Sequence, residues 1–251
     1  MKKIGLALGG GAVLGAAHIG VLRVLEEMNI EVSVVTGTSI GALVGALYAF
    51  GNTSKNMEEI ALNLNWMNIA EIAIFENGLL SNAKLGKLIV KSLGAKRIED
   101  AEIPLAVIAT DISNGEKVIL NKGPVAKAVM ASTCIPGVFS PVEFDEKLLV
   151  DGGIVENIPI DTAKNMGAEY IIGVDLNAKK TYNKPNSILD VIINSFHFTL
   201  KAAAKYQTEE ADIVVTPDLS RFNMVSTDQI QDLIEQGYKD AKEQLKKADL
   251  L

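Results

Sequence analysis

Two kinds of apolar spacing alternate along the chain: short unbroken runs, and longer stretches in which apolar residues recur every three or four positions. The runs read as buried strands and the spaced stretches as helices. Residues 4–8 predict a first strand, and the stretch carrying His18, Val21, Leu22 and Leu25 predicts a helix continuing to Met28. The loop Gly9-Gly10-Gly11-Ala12-Val13-Leu14-Gly15 joins them. A β-branched run starting at Val32 breaks at Gly37, and helical spacing resumes through Leu43, Leu47 and Phe50. Two successive units of strand, turn and helix belong to a parallel sheet and predict that the first two strand ends lie together.

Farther on, residues 52–100 read as mainly helical and turn-like, with Gly78 and Gly94 as breaks and an apolar patch at Leu62, Leu64, Trp66 and Ile69. That patch is expected to pack in the core, the alternative being a cap over a site. Residues 104–110 predict a buried strand that turns through 111–116 into a second strand at 117–120, a hairpin within a mixed sheet. A helix over 125–132, a strand over 147–150, a helix after Pro159 and a strand over 170–175 follow. In residues 187–210, Leu189, Ile192, Ile193, Phe196 and Leu200 recur at helical spacing, and a helix packed on the sheet is expected there ahead of one facing a membrane. A strand over 211–216 and a charged helix over 227–248 complete the chain. No repeat or linker interrupts the pattern, so a single domain over 1–251 is expected, with its motifs in 4–175 and C-terminal helices and a last strand in 186–251.

Composition narrows the classes of partner. With 48% hydrophobic and 22% charged residues the chain reads as a soluble globular protein, and its net charge of −7 argues against nucleic acid. The same charge gives no general attraction to anionic membranes, so any lipid contact should be peripheral, local and apolar. The single cysteine, Cys134, excludes an internal disulfide and suits a reducing, cytoplasmic setting; it reads as a small buried residue. Lys2 and Lys3 before an apolar run imitate a signal peptide, but the three glycines interrupt the run and the following pattern is that of an ordinary helix.

Candidate chemistry centres on Ser39. It lies at the strand-to-helix corner with Gly37 and Gly41 two residues to either side, the G-x-S-x-G spacing of a nucleophile elbow. Unpaired N–H groups at a helix start favour negative charge developing there. The plain alternative is a helix-capping serine. A serine nucleophile needs a base, and both histidines are poorly placed: His18 falls in the first helix and His197 in the middle of a long one, where packing roles are expected. Asp151 is better placed, following an apolar strand and preceding Gly152 and Gly153, which let the chain turn and bring a carboxylate to the sheet end that holds Ser39. Partial burial would make it basic enough. The Gly9-Gly10-Gly11 loop has little side-chain bulk and suits backbone N–H groups aimed at an oxyanion. A dinucleotide pyrophosphate is the alternative, disfavoured because G-x-G-x-x-G is not met and no acidic residue ends the second strand.

Together these motifs resemble the patatin-like phospholipase family, especially its compact bacterial members. The matching residues are Gly9-Gly10-Gly11 with 15–22, Gly37-Thr38-Ser39-Ile40-Gly41, Ala131-Ser132 with 135–139, and Asp151-Gly152-Gly153 followed by Asn157 and Pro159. The resemblance implies a three-layer α/β/α fold with a mostly parallel central sheet, and acyl-ester hydrolysis by a serine–aspartate dyad through an acyl-enzyme. It assigns Ser39 as nucleophile, Asp151 as base and the amides of Gly10, Gly11 and Ala12 as the oxyanion hole, supported by Gly9 and Gly15, and it implies no metal or cofactor. Members usually carry Arg or Lys where this chain has Leu14, which widens the expected substrates from phospholipids to lysophospholipids, neutral acyl esters and thioesters. An acyltransferase and a weakly active regulatory scaffold are the alternatives.

Overall fold

Alternation along the strands decides the layers. On β1 (Ile4–Leu8), Leu6 and Leu8 point into a large apolar cluster while Ala7 points into a smaller one; on β9 (Tyr170–Val174), Ile172 and Val174 join the large cluster and Ile171 the small one. Successive strand residues face opposite sides, so each strand feeds two cores. The computed structural model describes residues 2–63, 71–75, 78–182 and 184–247. Between those two strands come α1 (Ala16–Glu27), β2 (Val32–Thr38), α2 (Ile40–Ala49), α3 (Ser54–Leu62), β3 (Glu71–Phe75), β4 (Gly78–Ser81), α4 (Ala83–Leu93), β5 (Leu105–Asp111), β6 (Lys117–Leu120), α5 (Val125–Ser132), β7 (Val142–Phe144), β8 (Lys147–Asp151), α6 (Gly153–Glu156) and α7 (Ile160–Asn165). After β9 follow α8 (Ile188–Gln207), β10 (Ile213–Val215) and α9 (Ile230–Lys247). The large core lies under α1, α2, α5 and α9; the small one takes Ile160 and Ala163 of α7 and Ala204 of α8. Helices therefore cover both faces, in the expected three-layer α/β/α order.

The eight-stranded sheet runs β10-β9-β1-β2-β5-β8-β7, with β6 also on β5. Its first five strands are parallel, while β6 and β8 run antiparallel to β5 and β7 antiparallel to β8. The β5 strand is the ruler that brings distant segments together. Its Ile108 lies opposite Thr38, the last residue of β2, and its next residue, Ala109, lies opposite Asp151, the last residue of β8.

Two expectations need correction. Residues 52–100 are not only helices and turns: β3 and β4 form an antiparallel pair, with Gly78 inside a strand. The short β7 was also not anticipated, three residues between Pro141 and a turn at Asp145 and Glu146, both at positive φ. Of the predicted apolar patch, Leu64, Trp66 and Ile69 lie outside the described residues, and Leu62 is exposed. The α8 helix is two-sided. Of the residues expected to pack, Leu200 is buried and Ile192, Ile193 and Phe196 are half-buried, while Ala204 is buried as well and Ile188, Val191, Phe198 and Tyr206 are exposed.

Candidate active site

Ser39 carries the backbone strain of the elbow itself, with φ 55° and ψ −125°, and α2 starts at the next residue. A non-glycine residue in such a region costs about 1–3 kcal/mol and persists only where the surroundings fix it. Here they do. The Ser39 N–H donates to Ser132 Oγ at 2.8 Å, and that hydroxyl donates to the Ile108 carbonyl of β5 at 2.5 Å. The flanking glycines serve approach more than turning, since neither Gly37 nor Gly41 has positive φ. A Cβ on Gly41 would lie 2.1 Å from the Leu8 carbonyl, so only glycine lets α2 sit against the end of β1.

Asp151 reaches the same place from the other direction. Two threonines of β2 tie its end to the segment after Asp151: Thr36 Oγ1 donates to the Pro159 carbonyl at 2.8 Å and Thr38 Oγ1 to the Glu156 carbonyl at 2.7 Å. Gly152 crosses β5 so closely that a Cβ would fall 2.2 Å from the Ile108 carbonyl. The Asp151 side chain is buried. Its Oδ1 accepts the Gly153 N–H at 2.8 Å, whereas Oδ2 has no hydrogen bond of regular geometry among the described residues. Burial pushes the carboxyl up to about 7, against the opposing pull of the Gly153 amide and the neighbouring Ser39 hydroxyl. The Ser39 hydroxyl is thus near enough to Asp151 to favour the carboxylate.

Other titratable groups nearby are occupied or inert. Glu156 is buried but partnered, accepting from Thr162 Oγ1 at 2.6 Å and Lys117 Nζ at 3.1 Å. Burial and the adjacent Asp151 charge push the Cys134 thiol up to about 12, and its carbonyl accepts the Asp151 N–H at 2.9 Å. Burial lowers both histidines to about 4, keeping the rings neutral, and neither bonds to Ser39 or Asp151.

The glycine loop is held from four sides. His18 Nε2 bonds to the Gly9 carbonyl at 2.8 Å, Asn177 Nδ2 donates to the Gly10 carbonyl at 2.8 Å, and the Val13 N–H donates to the Met224 carbonyl at 3.1 Å. The Gly10 N–H is shared between the backbone carbonyl of Asn157 at 3.3 Å and its Oδ1 at 3.2 Å. The amides of Gly11 and Ala12 have no acceptor among the described residues, and Ala12 stands at φ 52°. A Cβ on Gly10 would lie 3.2 Å from Ser39 Cβ, so the loop passes directly beside the elbow. Leu14 is fully buried in the large core. Beside the elbow lies a narrow apolar cavity lined by Val13, Ile40, Leu43, Met57, Leu88 and Ile89 among others.

Ser39, Asp151 and the glycine loop are therefore brought together. The supporting roles of Ser132, Asn157 and His18 had no functional signal beyond membership of the motifs, and those of Asn177 and Met224 none at all, because each acts through a contact across the fold.

Fold and site place the chain among α/β proteins with a serine elbow at the end of a largely parallel sheet. It belongs to the patatin-like phospholipase family, whose family model matches residues 6–164. An uncharacterised NTE family protein of Mycobacterium bovis is 33% identical over 184 residues, covering 71% of this chain and 50% of that protein. A patatin-like phospholipase domain-containing protein of Caenorhabditis elegans is 36% identical over 190 residues, 72% of this chain and 14% of its own length. The lysophospholipase NTE1 of Scheffersomyces stipitis is 32% identical over 183 residues, 70% of this chain and 12% of its own length. The chain thus spans half or less of these relatives. Among solved structures, VipD from Legionella pneumophila superimposes with a TM-score of 0.59 at 13% identity, over 98% of this chain and 66% of VipD, a likeness of fold alone.

Proposed function

We propose that the chain hydrolyses carboxylic esters of lipids, with Ser39 as nucleophile and Asp151 as its base. The observation that carries this reading is the buried, unpartnered Oδ2 of Asp151 beside a strained serine. Ser39 Oγ attacks the acyl carbonyl carbon as its proton passes to Asp151. The negative oxygen of the tetrahedral intermediate is received by the free amides of Gly11 and Ala12, with Gly10 contributing once its N–H turns from Asn157. Collapse expels the alcohol, which takes the proton from Asp151 and leaves the acyl group on Ser39. A water, losing its proton to Asp151, then attacks the acyl-enzyme; the second intermediate collapses to the free acid, and the proton returns to Ser39.

The apolar cavity between α1, α2, α3 and α4 holds only about 30 Å³, so an acyl chain enters it only if those helices part; its lining, apolar side chains apart from Ser92, suits such a chain. The reading treats residues 1–251 as one catalytic domain, because β10 near the C-terminus pairs in the same sheet as β1. NTE-family relatives named as lysophospholipases support lysophospholipids among the acyl-ester substrates. A fluorophosphonate probe is expected to label Ser39. Ser39→Ala and Asp151→Asn should each lower ester hydrolysis by about a thousandfold or more with the circular dichroism spectrum unchanged. Undiminished hydrolysis by the Ser39→Ala protein would remove the nucleophile from the scheme, and acyl transfer to added alcohols in preference to water would make the enzyme a transferase.

A further inference from the structure

Helix α8 buries one face and leaves another bare. Ile188, Val191, Phe198 and Tyr206 are 82%, 50%, 52% and 72% exposed and fall on one side of the helix; no other helix among the described residues exposes more than one large apolar side chain. Lys201 and Lys205 run along the same helix, whose only acid is Asp190, with its Oδ2 accepting the Asn186 N–H. An exposed aliphatic and aromatic stripe edged by lysines is the pattern of a helix lying in a lipid–water interface.

Beside the first turns of α8 a recess of about 520 Å³ opens, walled by Lys180, Tyr182, Lys184, Asp190, Arg221 and Asn223 among others. None of Lys180, Lys184 and Arg221 forms an ion pair among the described residues. Lys180 is buried and gives one of its three donors to the Phe222 carbonyl, leaving two. Three cations without an ion pair outnumber the one acid of the hollow, Asp190, whose Oδ2 is taken by the Asn186 N–H; a net positive recess is unexpected on a chain of net charge −7 and fits an anion. The hollow is joined to the glycine loop through one residue of its wall and by a nearby stretch of chain. Met224, in its wall, holds the Val13 N–H, and Asn177, three residues before Lys180, holds the Gly10 carbonyl. Val225, beside Met224, is 66% exposed and extends the apolar surface.

We propose that the exposed face of α8, with the 220–225 loop, docks on an anionic phospholipid surface, and that the recess between them takes the phosphate of one lipid. Apolar side chains enter the acyl boundary while the cations meet headgroup phosphates, the arrangement charge complementarity favours. This extends the lipid-directed reading of the active site but is tested apart from it. Full-length Ser39→Ala protein, which would leave the vesicles intact, is floated with vesicles of phosphatidylcholine alone and of phosphatidylcholine with about one quarter phosphatidylglycerol. Binding is expected to the second and not the first, and to weaken as salt is raised. Phe198→Ser with Tyr206→Ser, and separately Lys184→Glu with Arg221→Glu, should each lower it by about tenfold or more. The same pairs in the active protein should leave hydrolysis of a water-soluble short-chain ester unchanged. Equal flotation by all variants, or no flotation by the parent, would overturn the proposal. So would a self-associated parent that Phe198→Ser with Tyr206→Ser converts to monomer without vesicle binding, which would make the face a contact between copies. Flotation of a chain lacking the Ser39 hydroxyl does not depend on how esters are cleaved, so either reading can fail alone.

Discussion

The Asp151 carboxyl, pushed up to about 7 by burial, is protonated in the folded protein over a pH range in which an unfolded aspartate, with its ordinary value of 3.8, has lost its proton. On the mechanism proposed, hydrolysis should therefore rise with pH through about 7, in contrast to the flat profile an unshifted aspartate would give. The stability consequence has the opposite sign to that of a salt-bridged aspartate. Between about 4 and 7 the native state holds the extra proton, so stability declines as pH rises across that window and levels off above it, by about 4 kcal/mol at most. Asp151→Asn, which removes the titration, should unfold at a higher temperature than the parent at pH 8 and at nearly the same temperature at pH 4. A melting-temperature difference independent of pH would show the carboxyl to be unshifted. At this scale the sequence was legible for Ser39 and Asp151, whose neighbouring glycines mark tight passages of the backbone. It misled on what those glycines do: the positive φ sits on Ser39 and Ala12, and Gly41 and Gly152 are there because carbonyls of β1 and β5 pass within 2.2 Å of where a Cβ would be.

Among the elements, β5 and α5 together hold the elbow in shape. Ser132, the last residue of α5, accepts from the strained Ser39 and donates to Ile108. Ser132→Ala leaves both backbone groups without their partner at a cost of about 2 kcal/mol. Ester turnover should fall about tenfold with KM little changed, since the elbow is misplaced while the binding surface is intact, and Ser132→Thr, which keeps a hydroxyl, should recover much of the loss. Urea unfolding and steady-state kinetics on the two variants read both effects; an Ala variant with unaltered turnover would show that the elbow holds itself. The elements built on strong periodicity, β1, β2, β5 and α8, were legible because a buried strand or a packed helix must show its period in the sequence. The β3–β4 pair was not, since short apolar runs fit a helix turn as well as a strand and only the partner decides. Likewise the three residues of β7 carry too little pattern to stand out from a loop.

For the molecule as a whole, the first and last helices close the fold. A Cβ on Gly20 of α1 would lie 2.1 Å from the Ile234 carbonyl of α9, and one on Gly237 of α9 would lie 2.1 Å from the Ala17 carbonyl of α1. The two helices therefore touch backbone to backbone. The loop that delivers the Met224 carbonyl to Val13 leads directly into α9. Gly237→Leu should separate the pair, destabilising the protein by about 3 kcal/mol or more and loosening the glycine loop, so that turnover falls with stability. Denaturant titration beside an ester assay tests this, and a variant as stable as the parent would show that α9 is a dispensable covering. No spacing within the chain announces a contact between residues more than two hundred positions apart, although a glycine in the middle of each helix is its faint trace.

Serine and carboxylate meet because β2 and β8 end on neighbouring rungs of β5. Slipping β8 by a single rung would turn Asp151 toward the opposite side of the sheet, leaving secondary structure almost intact but the hydroxyl without its partner. Catalysis in this chain is thus a census of correctly zipped molecules: on the mechanism proposed, specific activity after refolding counts those that found the right alignment, a distinction that overall helix and strand content would miss.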